Sequence, residues 1–195
     1  MNHTPIWSGQ KGAVLITGLL LLLVMTLLGV SSMQSTGLEE RMSAAGSDSN
    51  VAFQSAEAAL RDAEQYIKST ADVNNPFNPL KSNGGPFGKV ATPSCTNGLC
   101  QRPSTTTTPS PWVSFSESDW TTSGLSYGSK TAASAIDGVS AQPRYVIELL
   151  AVTDAGDGVR CYGTFRLTAR AWGANDTTVA QLQTIFRLKA ISCAI

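Results

Sequence analysis

No charged residue occurs between Lys11 and Glu39. Inside that interval Ala13–Met33 reads AVLITGLLLLLVMTLLGVSSM, 21 residues of near-continuous apolar character. At about 1.5 Å rise per residue, roughly 20 such residues cross the hydrocarbon core of a bilayer. A secretory signal peptide carries a shorter apolar core, about 7–15 residues, before a small-residue cleavage site. Ser31-Ser32 imitates such a site, but the core ahead of it is too long. Five consecutive leucines at 19–23 leave no polar face for a soluble buried helix, and only Thr17, Gly18, Thr26 and Gly29 interrupt the run. The segment reads as a membrane-spanning helix. Lys11 lies before the span and Glu39-Glu40 just after it; Lys and Arg favour the cytoplasmic side, so an N-in, C-out orientation is expected.

The rest of the chain is constrained by what it lacks. With 195 residues there is room for one domain and not two. Lys+Arg and Asp+Glu are 14 each, so the net charge is zero and no basic field is available for nucleic acid. Beyond the span the pattern stays helical. Phe53, Ala56, Leu60, Ala63 and Ile67 recur at steps of three and four, with Glu57, Arg61, Asp62, Glu64 and Lys68 on the other faces, which predicts an amphipathic helix. Glu57/Arg61 and Glu64/Lys68 are i,i+4 pairs in the favourable order. Gly46-Ser47-Asp48-Ser49 is a place for the helix to loosen, and it should end before Asn74-Asn75-Pro76.

The stretch GQKGAVLITGLLLLLVMTLLGVSSMQSTGLEERMSAAG resembles the start of a type IV pilin-like protein, and more narrowly the PilX family of minor pilins. The resemblance is close over 9–68 and looser over the C-terminal strands. It implies a leader, Met1–Gly12, cut after Gly12 by a prepilin peptidase that then methylates Ala13. Leu38-Glu39-Glu40-Arg41-Met42-Ser43-Ala44 fits the stretch that follows the apolar segment in the family. One departure matters. Most pilins begin the mature chain with Phe and carry Glu at its fifth residue, where the carboxylate neutralises a neighbour's α-amino group. Here those places hold Ala13 and Thr17. Pilin-like proteins without the Glu resemble the subunit that sits first, at the filament tip. The plainer reading of Thr17 is a hydroxyl bonded to its own i−4 carbonyl.

Residues 74–131 read mainly as loop. NNPFNPLKSNGGPFGK is rich in Pro and Gly, and Arg102–Trp112 is a Ser/Thr/Pro tract that reads as an extended surface loop rather than an adhesive or O-glycosylated patch. Leu99, Phe115, Trp120 and Tyr127 read as anchors onto a core, and 112–127 is a candidate source of a first strand. Tyr145–Leu150 predicts a nearly all-apolar strand, Thr153–Gly158 a turn, Gly163–Ala171 an alternating strand, Gly173–Asp176 a turn, and Val179–Leu188 a third strand with Ala180, Leu182, Phe186 and Leu188 facing in. The expected fold is α+β and pilin-like: a long N-terminal helix, its second half covering a C-terminal antiparallel sheet. The expected organisation is leader 1–12, transmembrane half-helix 13–38, amphipathic half-helix 39–72, loop-rich region 73–131 and sheet region 132–195.

Four cysteines in an exported domain suggest two disulfides. Cys95 and Cys100 enclose a short loop. A hairpin about Asn175-Asp176 brings Cys161 opposite about residue 190, near Cys193, so the expected pairs are Cys95–Cys100 and Cys161–Cys193. The spacing is poor for zinc. Asp154, Asp157 and Gly158 lack the ligand spacing of a calcium loop and read as turn residues. No nucleotide-binding, zinc-protease or serine-hydrolase motif occurs, and the one histidine, His3, lies in the leader. No catalysis, cofactor or metal is expected. The expected function is a minor pilin that helps assemble and prime the type IV pilus at or near its tip. The alternatives are a type II secretion pseudopilin or a single-span periplasmic adhesion protein. The expected partners are the major pilin, other minor pilins, the prepilin peptidase and the inner-membrane assembly machinery, with no nucleic acid. The expected location is the inner membrane, with a periplasmic C-terminal domain, and the pilus at the cell surface.

Overall fold

A computed structural model of the chain describes residues 12–70, 87–154, 156 and 161–189. Helix α1 (Ala13–Thr70) is followed by β1 (Lys89–Val90), β2 (Cys95–Thr96), β3 (Leu99–Cys100) and β4 (Arg102–Pro103). A 3₁₀ turn (Pro111–Ser114), α2 (Glu117–Ser123) and β5 (Leu125–Ser126) lead to three long strands, β6 (Arg144–Asp154), β7 (Cys161–Trp172) and β8 (Val179–Lys189). The expected leader as far as Lys11, the Pro/Gly-rich stretch as far as residue 86, Asp157, Gly158 and Cys193 lie outside the described residues.

The chain divides into two units, one ending at Gly46 and the other starting at Ser47. In the first, the large apolar side chains lie open, with Leu19 68% and Met33 80% exposed. A helix satisfies its own backbone groups, so such a surface suits lipid or the packed helices of other chains.

In the second unit α1 meets the sheet. Ala52, Ala56, Ala59 and Ala63 are fully buried, followed by Tyr66 and Ile67. Alanines at these steps make a smooth face that lets the sheet come close. Phe53, expected in that face, is instead 46% exposed. One residue is a rotation of about 100° on a helix, and the close approach selects Ala52 over its bulky neighbour. Asp62, expected on an outer face, is buried. Its carboxylate accepts from the Gly128 amide at 2.9 Å and from the Thr131 hydroxyl. Gly46–Ser49 stays helical.

The main sheet has the order β2-β3-β6-β7-β8, with β5 also paired to β6. The β6-β7-β8 meander is antiparallel, as expected, but β3 adds to β6 in parallel, which makes the sheet mixed. The helix-facing core joins Ala59, Ala63 and Tyr66 to Tyr145, Ile147, Leu149, Phe165 and Leu167. Each large aliphatic or Phe side chain there contributes about 1.5–3 kcal/mol by burial. β6 runs past its expected end to Asp154, because Thr153 and Asp154 pair with Tyr162 and Cys161 instead of entering the turn. A bulge between Leu149 and Ala151 leaves Leu150 without a cross-strand partner.

The loop-rich region contains more structure than its composition announces. β2 and β3 form a hairpin on Asn97-Gly98, both with positive φ (49° and 73°), the dihedral pair that a two-residue type I′ turn needs. A Cβ at Gly98 would collide with Leu125. α2 begins with a capping box in which the Ser116 amide donates to Asp119 Oδ2 at 2.8 Å and Ser116 Oγ accepts from the Asp119 amide. The Ser116 hydroxyl, which also donates to Asp119 Oδ2 at 2.6 Å, and after it the Ser116 amide hold the Asp119 carboxyl below its ordinary pKa.

Candidate assembly interface

Gly12 and Ala13 open the described chain, with Ala13 the first residue of α1. Thr17, the fifth residue counting from Ala13, is exposed, and its hydroxyl donates to the carbonyls of Ala13 and Val14, each at 3.0 Å. The first helical turn holds no acid, and the first carboxylate after Gly12 in the sequence is Glu39. This end of the helix thus offers neighbours apolar surface and a hydroxyl already satisfied by its own backbone. No anionic group is there to answer a buried cation, and an unanswered buried charge costs several kcal/mol.

At the sheet, β6 is buried on both faces from Tyr145 to Leu149. Tyr145, Ile147 and Leu149 face α1, while Val146 and Glu148 face the loop-rich layer. Val146 packs with Cys100 and Trp120, and Cys95, Trp112 and Phe115 close over them. Phe115 and Trp120 meet edge to face, with ring centroids 5.5 Å apart. Glu148, 3% exposed, is the polar centre of this layer. It accepts from Ser110 Oγ at 2.8 and 3.0 Å and from Trp112 Nε1 at 3.4 Å, and Arg166 Nη1 lies 3.6 Å away. At the other end of the tract Arg102 Nη1 donates to Leu150 O at 3.0 Å, which satisfies the carbonyl beside the bulge. The Ser/Thr/Pro tract is therefore a strap held at both ends, with Ser104–Thr107 exposed between them.

Asp48, on α1, acts across the molecule on the β7–β8 turn. Its carboxylate accepts from the Ala174 amide at 2.5 Å and from Asn175 Nδ2 at 3.1 Å. Its pKa is lowered, first by a hydrogen bond from Thr178 and further by those from Asn175 and Ala174. Gly173 is required here, because a Cβ would run into the Asp48 carboxylate. Tyr145 is fully buried, and burial, reinforced by the Asp62 charge, pushes its pKa far above the usual phenol range.

Cys95 and Cys100 are bonded directly across the β2–β3 hairpin. Cys161 begins β7, and its expected partner Cys193 lies outside the described residues. Asp154 closes a turn by accepting from the Gly156 amide at 2.8 Å. Among the described residues no group of His, Cys, Asp and Glu is arranged to hold a metal ion. Sequence reasoning missed Glu148, Arg102, Arg166 and Asp48. The visible signal for Glu148 was a carboxylate inside Tyr145–Leu150, since a strand apolar on both faces is covered on both faces.

The chain matches two family models, one described as PilX N-terminal over residues 11–61 and one as type IV pilus assembly protein PilX C-term over residues 96–188. No curated protein and no solved structure matches it.

Proposed function

The chain belongs to the PilX family of type IV pilus assembly proteins, and from that premise we propose that this minor pilin primes filament growth and occupies the tip. The observation that carries the reading is Thr17. A subunit added behind another buries its helix beside an α-amino group and needs a carboxylate at the fifth mature position. Thr17 supplies none, and its hydroxyl is spent on Ala13 and Val14. A first subunit meets no earlier terminus, so the missing carboxylate costs it nothing.

The leader is cleaved between Gly12 and Ala13 on the cytoplasmic face. Residues 13–38 anchor the chain in the inner membrane before assembly and pack against other pilins afterwards. The remainder folds in the periplasm, with a second disulfide between Cys161 and Cys193. The chemistry is that of packing and docking, with the energy supplied by the assembly machinery.

The test is Thr17→Glu, read as copies per pilus by quantitative mass spectrometry of sheared filaments. Thr17 belongs to the first unit, so the sheet-bearing unit from Ser47 onward, the head domain, should fold unchanged. Incorporation should rise from a few copies per filament to many. An unchanged copy number would remove the charge argument for position.

A further inference from the structure

Among the described residues strand β8 has a neighbour on one side only. Its ladder with β7 runs from Trp172↔Val179 to Tyr162↔Lys189 without a register shift, and among the described residues no strand lies along its other edge. An open edge presents a row of N–H and C=O groups, and proteins guard such edges with short strands, bulges, prolines or charges. The opposite edge of this sheet is guarded. β2 has two residues and is stapled to β3 by the disulfide. β8 has 11 residues, and its sequence VAQLQTIFRLK holds no proline, no acid and no charge before Arg187. Both of its faces can receive a neighbour's side chains. Ile185 is 56% exposed on one, and Phe186 and Leu188 are only half-covered on the other.

We propose that β8 is a strand-addition site for an extended segment of another pilus component, neutral along most of its length and acidic where it passes Arg187. Main-chain hydrogen bonds would hold such a segment, and alternate side chains would select it. The charge requirement comes from one end of the strand. Arg187 is exposed, with its guanidinium 4.2 Å over the Tyr162 ring. Its cross-strand partner is Thr164, and among the described residues no carboxylate pairs with it. Lys68 approaches the same end from the helix, 5.3 Å from the Phe186 ring centroid, answered in part by Glu64 at 3.7 Å. A second copy of this chain is the poorer occupant, since its β8 would bring more cations and no acid. The inference rests on the chain being a subunit that docks on other pilus components, and it does not depend on filament position.

The test uses the full mature chain in phosphatidylcholine nanodiscs and fluorescent peptides as long as β8. The first alternates Val and Thr with Glu at the end that meets Arg187, the second carries Lys in those places, and the third is the acidic peptide with alternate backbone amides methylated. The acidic peptide should bind about tenfold tighter than the basic one, and Arg187→Glu should reverse that order. Backbone methylation should abolish binding. Absence of binding by both unmethylated peptides, a preference that survives Arg187→Glu, or equal binding of the methylated peptide would overturn the proposal. A concentration-dependent dimer of the chain that protects β8 amides from exchange would overturn it in favour of a second copy. Tip labelling of pili is independent of all these outcomes, so failure here and failure of the tip reading are distinguishable.

Discussion

Replacing Glu148 by Ala removes the carboxylate that holds one end of the strap, and its cost can be worked from the contacts. The Ser110 hydroxyl at 2.8 Å makes a bond to a charged acceptor, worth about 1.5–3 kcal/mol. The Trp112 contact at 3.4 Å is at the long limit. The Arg166 side chain is 30% exposed at 3.6 Å, so water screens the pair and about 0–1 kcal/mol is a fair value. Against these stands the desolvation cost of the buried carboxylate, which the variant relieves. The net loss should be about 2 kcal/mol, or a fall of roughly 4–8 °C in the melting temperature of the head domain. Glu148→Gln keeps an acceptor for Ser110 and should lose about half as much. The assay is thermal unfolding of the full chain in micelles, followed by residue-level amide exchange. Exchange should accelerate through 102–114, while β7 and β8 keep their protection. A stability loss spread evenly over the sheet with an unchanged strap, or no loss at all, would refute the clasp.

Three further outcomes are expected. Mass spectrometry of the mature chain should find an N-methylated Ala13, and Gly12→Val should leave the precursor inserted but uncut; an intact Met1 or a terminus near Ser31-Ser32 would contradict the leader. Peptide mapping without reductant should find Cys95–Cys100 and Cys161–Cys193, and Cys193→Ser should cost more than Cys100→Ser, about 4 against about 2 kcal/mol from loop closure. Because hydrogen bonds lower the folded pKa of Asp48 from its ordinary 3.8, its contribution is present at neutral pH. It is lost as the pH falls below about 4 and through the folded pKa. Asp48→Ala should lower stability at pH 7 and flatten the acid limb of the profile, and an unchanged limb would show that the turn does not depend on this charge.

The parts of the molecule legible in advance were those with a strong local period. α1 and the strands β7 and β8 declare themselves by spacing, and Phe165, Leu167, Ala169 and Ala171 are buried on one side as their alternation requires. The helix face was read one residue off at Phe53 because hydrophobicity and closeness of approach rank Phe and Ala in opposite order. Ala52 wins where a helix must lie against a sheet. Other features depend on partners remote in sequence. Asp48 reaches a turn 126 residues away, and Glu148 reaches Ser110 across 38, distances over which no local pattern carries information. The parallel addition of β3 is of the same kind, since two residues make no periodic signal. Two local signals were present and passed over: the Asn97-Gly98 turn and the Ser116-x-x-Asp119 capping box. Thr17 was legible only as a departure from a family pattern, and its hydrogen bonds to Ala13 and Val14 give that departure a physical content.

The tip assignment is tested most directly by gold labelling of the exposed strap residues on sheared wild-type pili. An epitope inserted at Thr106, between the two anchored ends of the strap, leaves Glu148 and Arg102 untouched. A subunit without a carboxylate at its fifth mature position should give label at one end of the filament and none along its length. Frequent label along wild-type shafts would show that the chain is accepted behind other subunits with Thr17 in place, and would contradict the account.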